Sequence, residues 1–412
     1  MAKLWLRVMG LELSSLQGLD KDRLDKIRQA KVIFADGRFH DPLCAMQIKA
    51  KLHPWPRPFT KIYDLLQALK KQGEETLLLA TGDPLHFGVA SRLSQYFTPE
   101  EMEIIPARSG FNLAAAKLGW PLNHAHCLSL HGRPVNRLKP YLLPHQSLLL
   151  LANHGKSPHE LCHLLCELGF TNAMITCLAH IGGENEQIFP AQSVEEFLHN
   201  APDIPDFHMI GVKMPPCASG QMRYHLPGLA DEYFEHDGKM TKQAVRALAL
   251  QALQPFPEAV FWDLGCGAGS VALEYGLMAD RAKIWGIDKH VSRLAMAEHN
   301  AKNLGMESQI TWLMGDNMEM IADLPMPDAI FIGGGMTAEL LSICFQRLRQ
   351  GGRLVANAVT INGQALLMDF AEQYDGQLQQ IQLSHSDKLS KNYRAMRPQM
   401  AVLQLILSKQ GE

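Results

Sequence analysis

No stretch of the 412 residues approaches the run of about 18 apolar side chains that crosses a bilayer, which argues against a helical membrane protein. Neither sign of charge dominates. Thirty-nine Lys and Arg stand against 42 Asp and Glu, for a formal net charge of −3. The basic residues are scattered, without the stripe a nucleic-acid binder presents, so no nucleic-acid partner is expected. The opening MAKLWLRVMGLELSSL lacks a long apolar core and a small-residue cleavage site, so it is not read as a secretion signal. The expectation is a soluble, cytoplasmic protein with no membrane partner. Eight cysteines are present, and without a secretion signal they are read as reduced thiols. Internal repeats and low-complexity segments are also missing.

One cluster raises the question of a metal. In HELCHLLCELG (159–169), His159, Cys162, His163 and Cys166 share one helical face. A single straight helix cannot wrap four ligands tetrahedrally around an ion, so no metal site is assigned. Leu161, Leu164, Leu165 and Leu168 have the same spacing and supply an ordinary core stripe.

What is present is an alternation of short apolar runs and helical patterns, in two series. The first includes LWLRVMGL, VIFAD, TLLLATGD, EIIPARSG, SLLLLANHG, AMITCLA and FHMIGVKM, and predicts an α/β domain with a largely parallel sheet over residues 1–215. A Pro- and Gly-rich stretch near 215–225 reads as linker. A second α/β series over 225–412 contains AVFWDLG, AKIWGID, ITWLMGD, DAIFIGGG and GRLVANAV, with LQQIQLSHS and AVLQLILS as closing strands.

The sharpest motif is DLGCGAGS. Gly265, Gly267 and Gly269 follow an apolar strand and open a helix, where a tight turn and a ligand close to the backbone both demand glycine. A dinucleotide fingerprint, G-x-G-x-x-G, would put its third glycine one place later than Gly269. The G-x-G-x-G spacing behind Asp263 resembles the common class of S-adenosylmethionine-dependent methyltransferases. Asp288 ends the next strand, roughly 20 residues on, where a carboxylate can accept ribose hydroxyls. Asp316 ends a third, in place to meet an adenine edge. After the fourth strand the chain reads FIGGGM, not the Asn-Pro-Pro-aromatic element of amino-group methylases of nucleic acids. Gly333, Gly334 and Gly335 there offer bare backbone and room for a large flat acceptor.

Taken together, GLADEYFEHDGKMTKQAVRALAL, DLGCGAGSVALEYG, PDAIFIGGG and GGRLVANAVT resemble the decarboxylating methyltransferase domain of corrin biosynthesis. ATGDPLHFGVASRL, IIPARSGFNLAAAKLGWP and SLHGR resemble the tetrapyrrole methylase family, in the branch acting on precorrin-6. The resemblance implies a tetrapyrrole methylase-type α/β domain followed by a Rossmann-like methyltransferase domain, each with its own S-adenosylmethionine site. It further implies an acidic tetrapyrrole substrate, methylation of carbon 5 by the first domain, and methylation of carbon 15 with loss of the ring C acetate carboxyl by the second. The implied product is precorrin-8, and the implied assembly a homo-oligomer. In the first domain Gly82, Asp83 and Pro84 would form the cofactor turn, with Ser109 at the following helix start contacting the ligand or only capping the helix. His131 and Arg133 would meet substrate carboxylates. In the second, Thr241 reads either as a contact to the cofactor carboxylate or as a helix cap, and Asn357 faces substrate or solvent. No catalytic side chain is nominated.

The first domain departs from the family pattern at three places. Glu12 and Ser14 stand where small glycines are usual after Gly10, and Ala107 where glycine is customary. These leave open a first domain that only docks substrate. A methylase acting on RNA or another small molecule is the other alternative.

Overall fold

The computed structural model describes residues 4–12, 16, 18–216 and 226–410. The chain divides into two compact units, residues 1–135 with 141–221 and residues 136–140 with 222–412. Most of the linker stretch, 217–225, and Ser14 lie outside the described residues.

The first unit begins with a parallel five-stranded sheet in the order β3-β2-β4-β1-β5, made of β1 (Leu6–Leu11), β2 (Val32–Ala35), β3 (Lys51–Pro54), β4 (Thr76–Thr81) and β5 (Met102–Ile105). Strand β4 has an unbroken apolar run because both its faces are covered. Leu78 packs with Val8, Phe34, Ile62 and Leu66 on one side, while Leu77 and Leu79 pack with Met9, Ile27 and Ile33 on the other. A second sheet contains β6 (Ala125–Ser129), β7 (Ser147–Leu151), β8 (Met174–Ala179), β9 (Gln187–Ser193) and β10 (His208–Lys213), in the order β6-β7-β10-β8-β9. Only β6 and β7 run parallel. The sequence reading of one largely parallel sheet therefore holds for the first sheet alone. The link from β8 to β9 is too short for the crossover a parallel neighbour needs, so the two form a hairpin. Strand β10, which reads in the sequence as a closing strand, sits at the sheet centre.

The helix Ser157–Glu167 contributes Leu161, Cys162, Leu164 and Leu165 to the core. Burial pushes the Cys162 thiol up to about 12, so it is an inert packing group.

The second unit has a seven-stranded sheet in the order β13-β12-β11-β14-β15-β19-β16. Its strands are β11 (Val260–Leu264), β12 (Lys283–Asp288), β13 (Ile310–Met314), β14 (Ala329–Ile332), β15 (Arg353–Ala358), β16 (Gln377–Ile381) and β19 (Val402–Ser408). The first five are parallel, and β19 is antiparallel to β15 and β16. Strand order reverses between β11 and β14, which is where open α/β sheets bind ligands. LQQIQLSHS, read as one strand, is broken after Ile381. The remainder pairs as a separate hairpin of β17 (Ser384–Lys388) with β18 (Arg394–Pro398).

Helix Ser270–Met278, which follows the glycine loop, is buried from Ser270 to Gly276. Its one acid, Glu274, is matched by Arg246 from helix Gln243–Leu253, and both side chains are essentially inaccessible to water. Glu274 accepts from Arg246 Nε at 2.5 Å and from the backbone N–H groups of Gly228 (2.5 Å) and Leu229 (3.1 Å). Arg246 also donates to Asp231 and to the carbonyls of Thr241 and Leu229. A buried ion pair survives only when its remaining donors and acceptors are met, and here they tie the segment entering the unit to its core.

Candidate functional site

In the second unit the three glycines of the loop after β11 all have positive φ: +68° at Gly265, +55° at Gly267 and +77° at Gly269. Their reasons differ. A Cβ on Gly269 would lie 2.6 Å from the Trp312 ring, and one on Gly265 would lie 2.7 Å from Gly334 backbone. These two let loops and helix close on one another. At Gly267 the nearest atom is the Lys239 carbonyl oxygen at 3.7 Å, so there the bare backbone faces open space.

That space is a pocket of about 290 Å³, lined by Gly265 and Gly267, by Asp288, Lys289, His290 and Arg293 after β12, by Gly315, Asp316 and Asn317 after β13, and by Gly333, Gly334 and Gly335 after β14. Asp288 accepts from the Gly267 N–H at 3.0 Å and from the His290 N–H at 2.9 Å, which fixes its carboxylate beside the loop. Asp316 caps the short helix Asn317–Met320 through the Met318 N–H at 2.9 Å. Asn317 donates to the Gly334 carbonyl at 3.1 Å, and Gly333 N–H to the Leu264 carbonyl at 2.9 Å, so the triple glycine is braced against the loop after β11.

Four sequence candidates lie outside this lining: Gly269, packed against Trp312, and Asp263, Asn357 and Thr241. Asp263 is 1% exposed, with one oxygen accepting from the Ala272 N–H at 2.9 Å and the other unpartnered. Burial raises its carboxyl to about 7. Asn357 accepts from Gln404 at 2.8 Å across β15 and β19, and its own amide nitrogen has no partner. Thr241 gives its carbonyl to Arg246, while Lys239, two residues earlier, lines the pocket. The helix cap read for Thr241 is a correction: the cap position is Lys242, and the Gln243 N–H is met at 3.0 Å by Asp231.

The sequence reading passed over Asn300. This amide, 0% exposed on helix Val291–Leu304, accepts from the Glu235 N–H at 2.7 Å and donates to the carbonyls of Glu235 (2.9 Å) and Ala268 (3.0 Å). It joins the strap 235–240 to the glycine loop. Arg293 adds a 2.9 Å ion pair with Asp237. Asn300 falls on the buried stripe of its helix with Ala297, Ala301 and Leu304, but nothing local in the sequence names its partners.

In the first unit the ends of β1 and β4 meet. A Cβ on Gly10 would strike the Gly82 carbonyl oxygen and lie 2.8 Å from the Ala107 side chain. Gly82, at φ +71°, donates its N–H to Leu11 at 2.7 Å. Beside them lies a cleft of about 440 Å³, within the range of small-molecule sites, lined by Gly82, Phe87, Arg108, Gly110, Ser129, His131 and residues from β7 and β10. Asp83 and Pro84 stand behind the lining: Asp83 accepts from the Leu85 N–H at 2.7 Å and Pro84 from the Ala90 N–H at 2.9 Å. Ser109 forms a capping box with Asn112 and is buried, its neighbours Arg108 and Gly110 facing the cleft instead. Arg133 lies over the Phe87 ring, 5.8 Å from its centre. Glu12 and Arg108 are paired on the lining, Arg108 Nε donating at 2.7 Å, and this hydrogen bond holds the Glu12 carboxyl below its ordinary range.

The pocket of the second unit suits a nucleoside-type ligand on these grounds: bare backbone at Gly267, a fixed carboxylate at Asp288, and polar groups beyond it. Residues 23–196 match the family model for tetrapyrrole (corrin/porphyrin) methylases, beginning past the Gly10 loop, and residues 232–409 match the precorrin methyltransferase domain. A precorrin-6Y C(5,15)-methyltransferase (decarboxylating) from Sinorhizobium sp is 33% identical over 404 residues, 97% of this chain and 95% of its own length. The chain belongs to the precorrin-6Y C(5,15)-methyltransferase (decarboxylating) family. A family member from Mycobacterium tuberculosis (strain CDC 1551 / Oshkosh) is 28% identical over 409 residues, covering 98% of this chain and 99% of its own. The crystal structure of the C-terminal domain of the Rhodobacter capsulatus member aligns with a TM-score of 0.43 at 33% identity, over 45% of this chain and 98% of that one. No helix among the described residues is long and apolar enough to cross a membrane.

Proposed function

We propose that the chain methylates precorrin-6B, or its cobalt form, at carbons 5 and 15 and removes the ring C acetate carboxyl as CO₂, giving precorrin-8 in corrin biosynthesis. The first unit takes carbon 5 and the second takes carbon 15 and the decarboxylation, each with its own S-adenosylmethionine site. The observation that carries this reading is the near full-length similarity to the Sinorhizobium protein, joined to a glycine-lined pocket at the sheet's switch point.

The cofactor supplies an activated sulfonium methyl group. In the second unit Asp288 accepts the ribose hydroxyls, Asp316 and Asn317 border the adenine, and Thr241 and Lys239 close over the amino-acid end. Asp263 steadies the helix beneath the loop through the Ala272 N–H. Gly333, Gly334 and Gly335 leave room for the flat acceptor, with Asn357 at the edge of its bed. In the first unit Gly82, Asp83, Pro84 and Ser109 shape the cofactor turn, while His131 and Arg133 meet acidic side chains.

A reduced tetrapyrrole carbon is enamine-like and already nucleophilic, so positioning supplies much of the acceleration and no side chain is assigned as base. Each methylation makes one C–C bond and breaks one S–C bond. Decarboxylation leaves its electron pair in the adjacent ring system, favoured by an apolar surround. The same reading gives a cytoplasmic homo-oligomer with no nucleic-acid partner. Mass spectrometry of the product tests it: two methyl groups gained and one CO₂ lost are expected, and any other balance refutes the assignment.

A second reading, that the first unit only docks substrate, draws on the Glu12–Arg108 pair across its cleft lining. The full-length Asp288→Ala variant separates the two. Continued methylation at carbon 5 ends the docking idea.

A further inference from the structure

The hairpin β17–β18 takes no part in the pocket, yet its place in the sheet is informative. Strand β16 ends at Ile381 opposite Val402, and Leu403 of β19 lies opposite Ala358, the last residue of β15. Chain therefore leaves for the hairpin, and returns from it, at the carboxyl edge of the parallel strands. That is the edge from which the glycine loops project. Three strand spacings, about 14 Å, separate β14 from the hairpin's root at β16. The root is closed by the Gln399 N–H donating to Leu383 at 2.8 Å and Gln382 donating to Gln399 at 3.0 Å.

Almost every residue of the hairpin is exposed, on both faces. Tyr393 is 71% exposed and Met396 64%, with Leu389 and Met400 similarly open. A two-stranded ribbon with neither face covered is marginal in water, so this one is built to be covered.

Its charges say by what. Pairing register puts Lys388 directly opposite Arg394, on the face that also carries Met396 and Ser386. Like charges opposed across a strand pair repel, and neither has a carboxylate partner among the described residues. The other face is neutralised, because Arg397 pairs with Asp387 at 3.2 Å. One face thus keeps two uncompensated cations beside Met396 and Pro398, with Lys391 at the turn.

We propose that this face of the hairpin is the arm that grips the acidic macrocycle for the second unit's reaction. Lys388 and Arg394 hold acetate or propionate carboxylates of the substrate, and Met396 beside them packs on its ring. The proposal rests on the tetrapyrrole substrate proposed above, and it adds the element that recognises it. A carboxylate placed between the two cations relieves their repulsion, and Arg can take it bidentately.

The test uses the full-length protein and follows CO₂ release, the second unit's own product. In the double variant K388Q/R394Q the KM for precorrin-6B rises about tenfold, from two partly exposed ion pairs, while kcat and the KM for S-adenosylmethionine stay within twofold. The opposite-face variant D387N/R397Q leaves all three unchanged. In the wild type, KM for the macrocycle climbs with salt, and the double variant flattens that climb. An unchanged KM in K388Q/R394Q, with the wild type turning over, overturns the arm and leaves the proposed function standing. A change in sedimentation of the double variant assigns the hairpin to contacts between copies and also overturns it. Failure of the wild type to process any precorrin brings down both.

Discussion

Asn300→Ala isolates the strap over the cofactor pocket. The substitution removes three hydrogen bonds at once and orphans the Glu235 N–H, the Glu235 carbonyl and the Ala268 carbonyl. At roughly 0.5–1.5 kcal/mol net for each bond, seating of the strap 235–240 on the glycine loop loses about 2–4 kcal/mol. Lysine 239, whose carbonyl faces Gly267, lies in that strap. Cofactor affinity that depends on a seated strap cannot fall by more than this amount, and a tenfold rise in Kd requires only about 1.4 kcal/mol of it. Calorimetric titration of the full-length variant with S-adenosylmethionine is therefore expected to show a Kd raised about tenfold, well within that ceiling. Amide exchange across 235–240 should accelerate while the core strand β11 keeps its protection. Arg293→Gln removes only the partly exposed pair with Asp237 and should change Kd less than threefold. A Kd and an exchange rate both unchanged in Asn300→Ala would refute the argument that this amide couples strap to loop.

Arg246→Met leaves Glu274 as a buried acid without its partner and should destabilise the second unit by about 3–5 kcal/mol, read from urea unfolding, with partial recovery on adding Glu274→Gln. Asp263 has its folded carboxyl raised from 3.8 to about 7 by burial, so the folded state holds the proton over that interval and the unfolded state does not. Stability of the ligand-free protein should accordingly fall as pH rises from about 4 to about 7, and Asp263→Asn should flatten that slope in thermal unfolding. Gly269→Ala combines a left-handed φ of +77° with a Cβ 2.6 Å from Trp312. A loss of about 1–2 kcal/mol from the backbone alone is expected, with a lowered Tm and weakened cofactor binding in the same preparation.

The second unit was the more legible in the sequence because its signals are local. DLGCGAGS announces a tight turn between strand and helix, and Asp288 and Asp316 each end an apolar run, so strand ends could be read without knowing the sheet order. Asn357 shows the limit of such local reading: it lies near the end of β15, its neighbour across the sheet is Gln404, 47 residues away, and no local pattern reveals that pairing. Asn300 and Arg246 were invisible because a polar residue in a helix looks solvated until tertiary packing buries it. The hairpin was lost inside LQQIQLSHS, where exposed polar residues on both faces erase the alternation that marks a half-buried strand. In the first unit the antiparallel β8–β9 pair escaped notice since QIFPAQS carries a proline and reads poorly as a strand, despite the Gly182-Gly183 turn signal before it.

Gly265 and Gly334 press backbone on backbone, with no space for even a methyl group between them. The seam between the loops after β11 and β14 is thus backbone alone and cannot be remodelled from either side without disturbing the other. A descendant of this chain with a reshaped pocket would have to leave that seam alone and vary what reaches in from the rim.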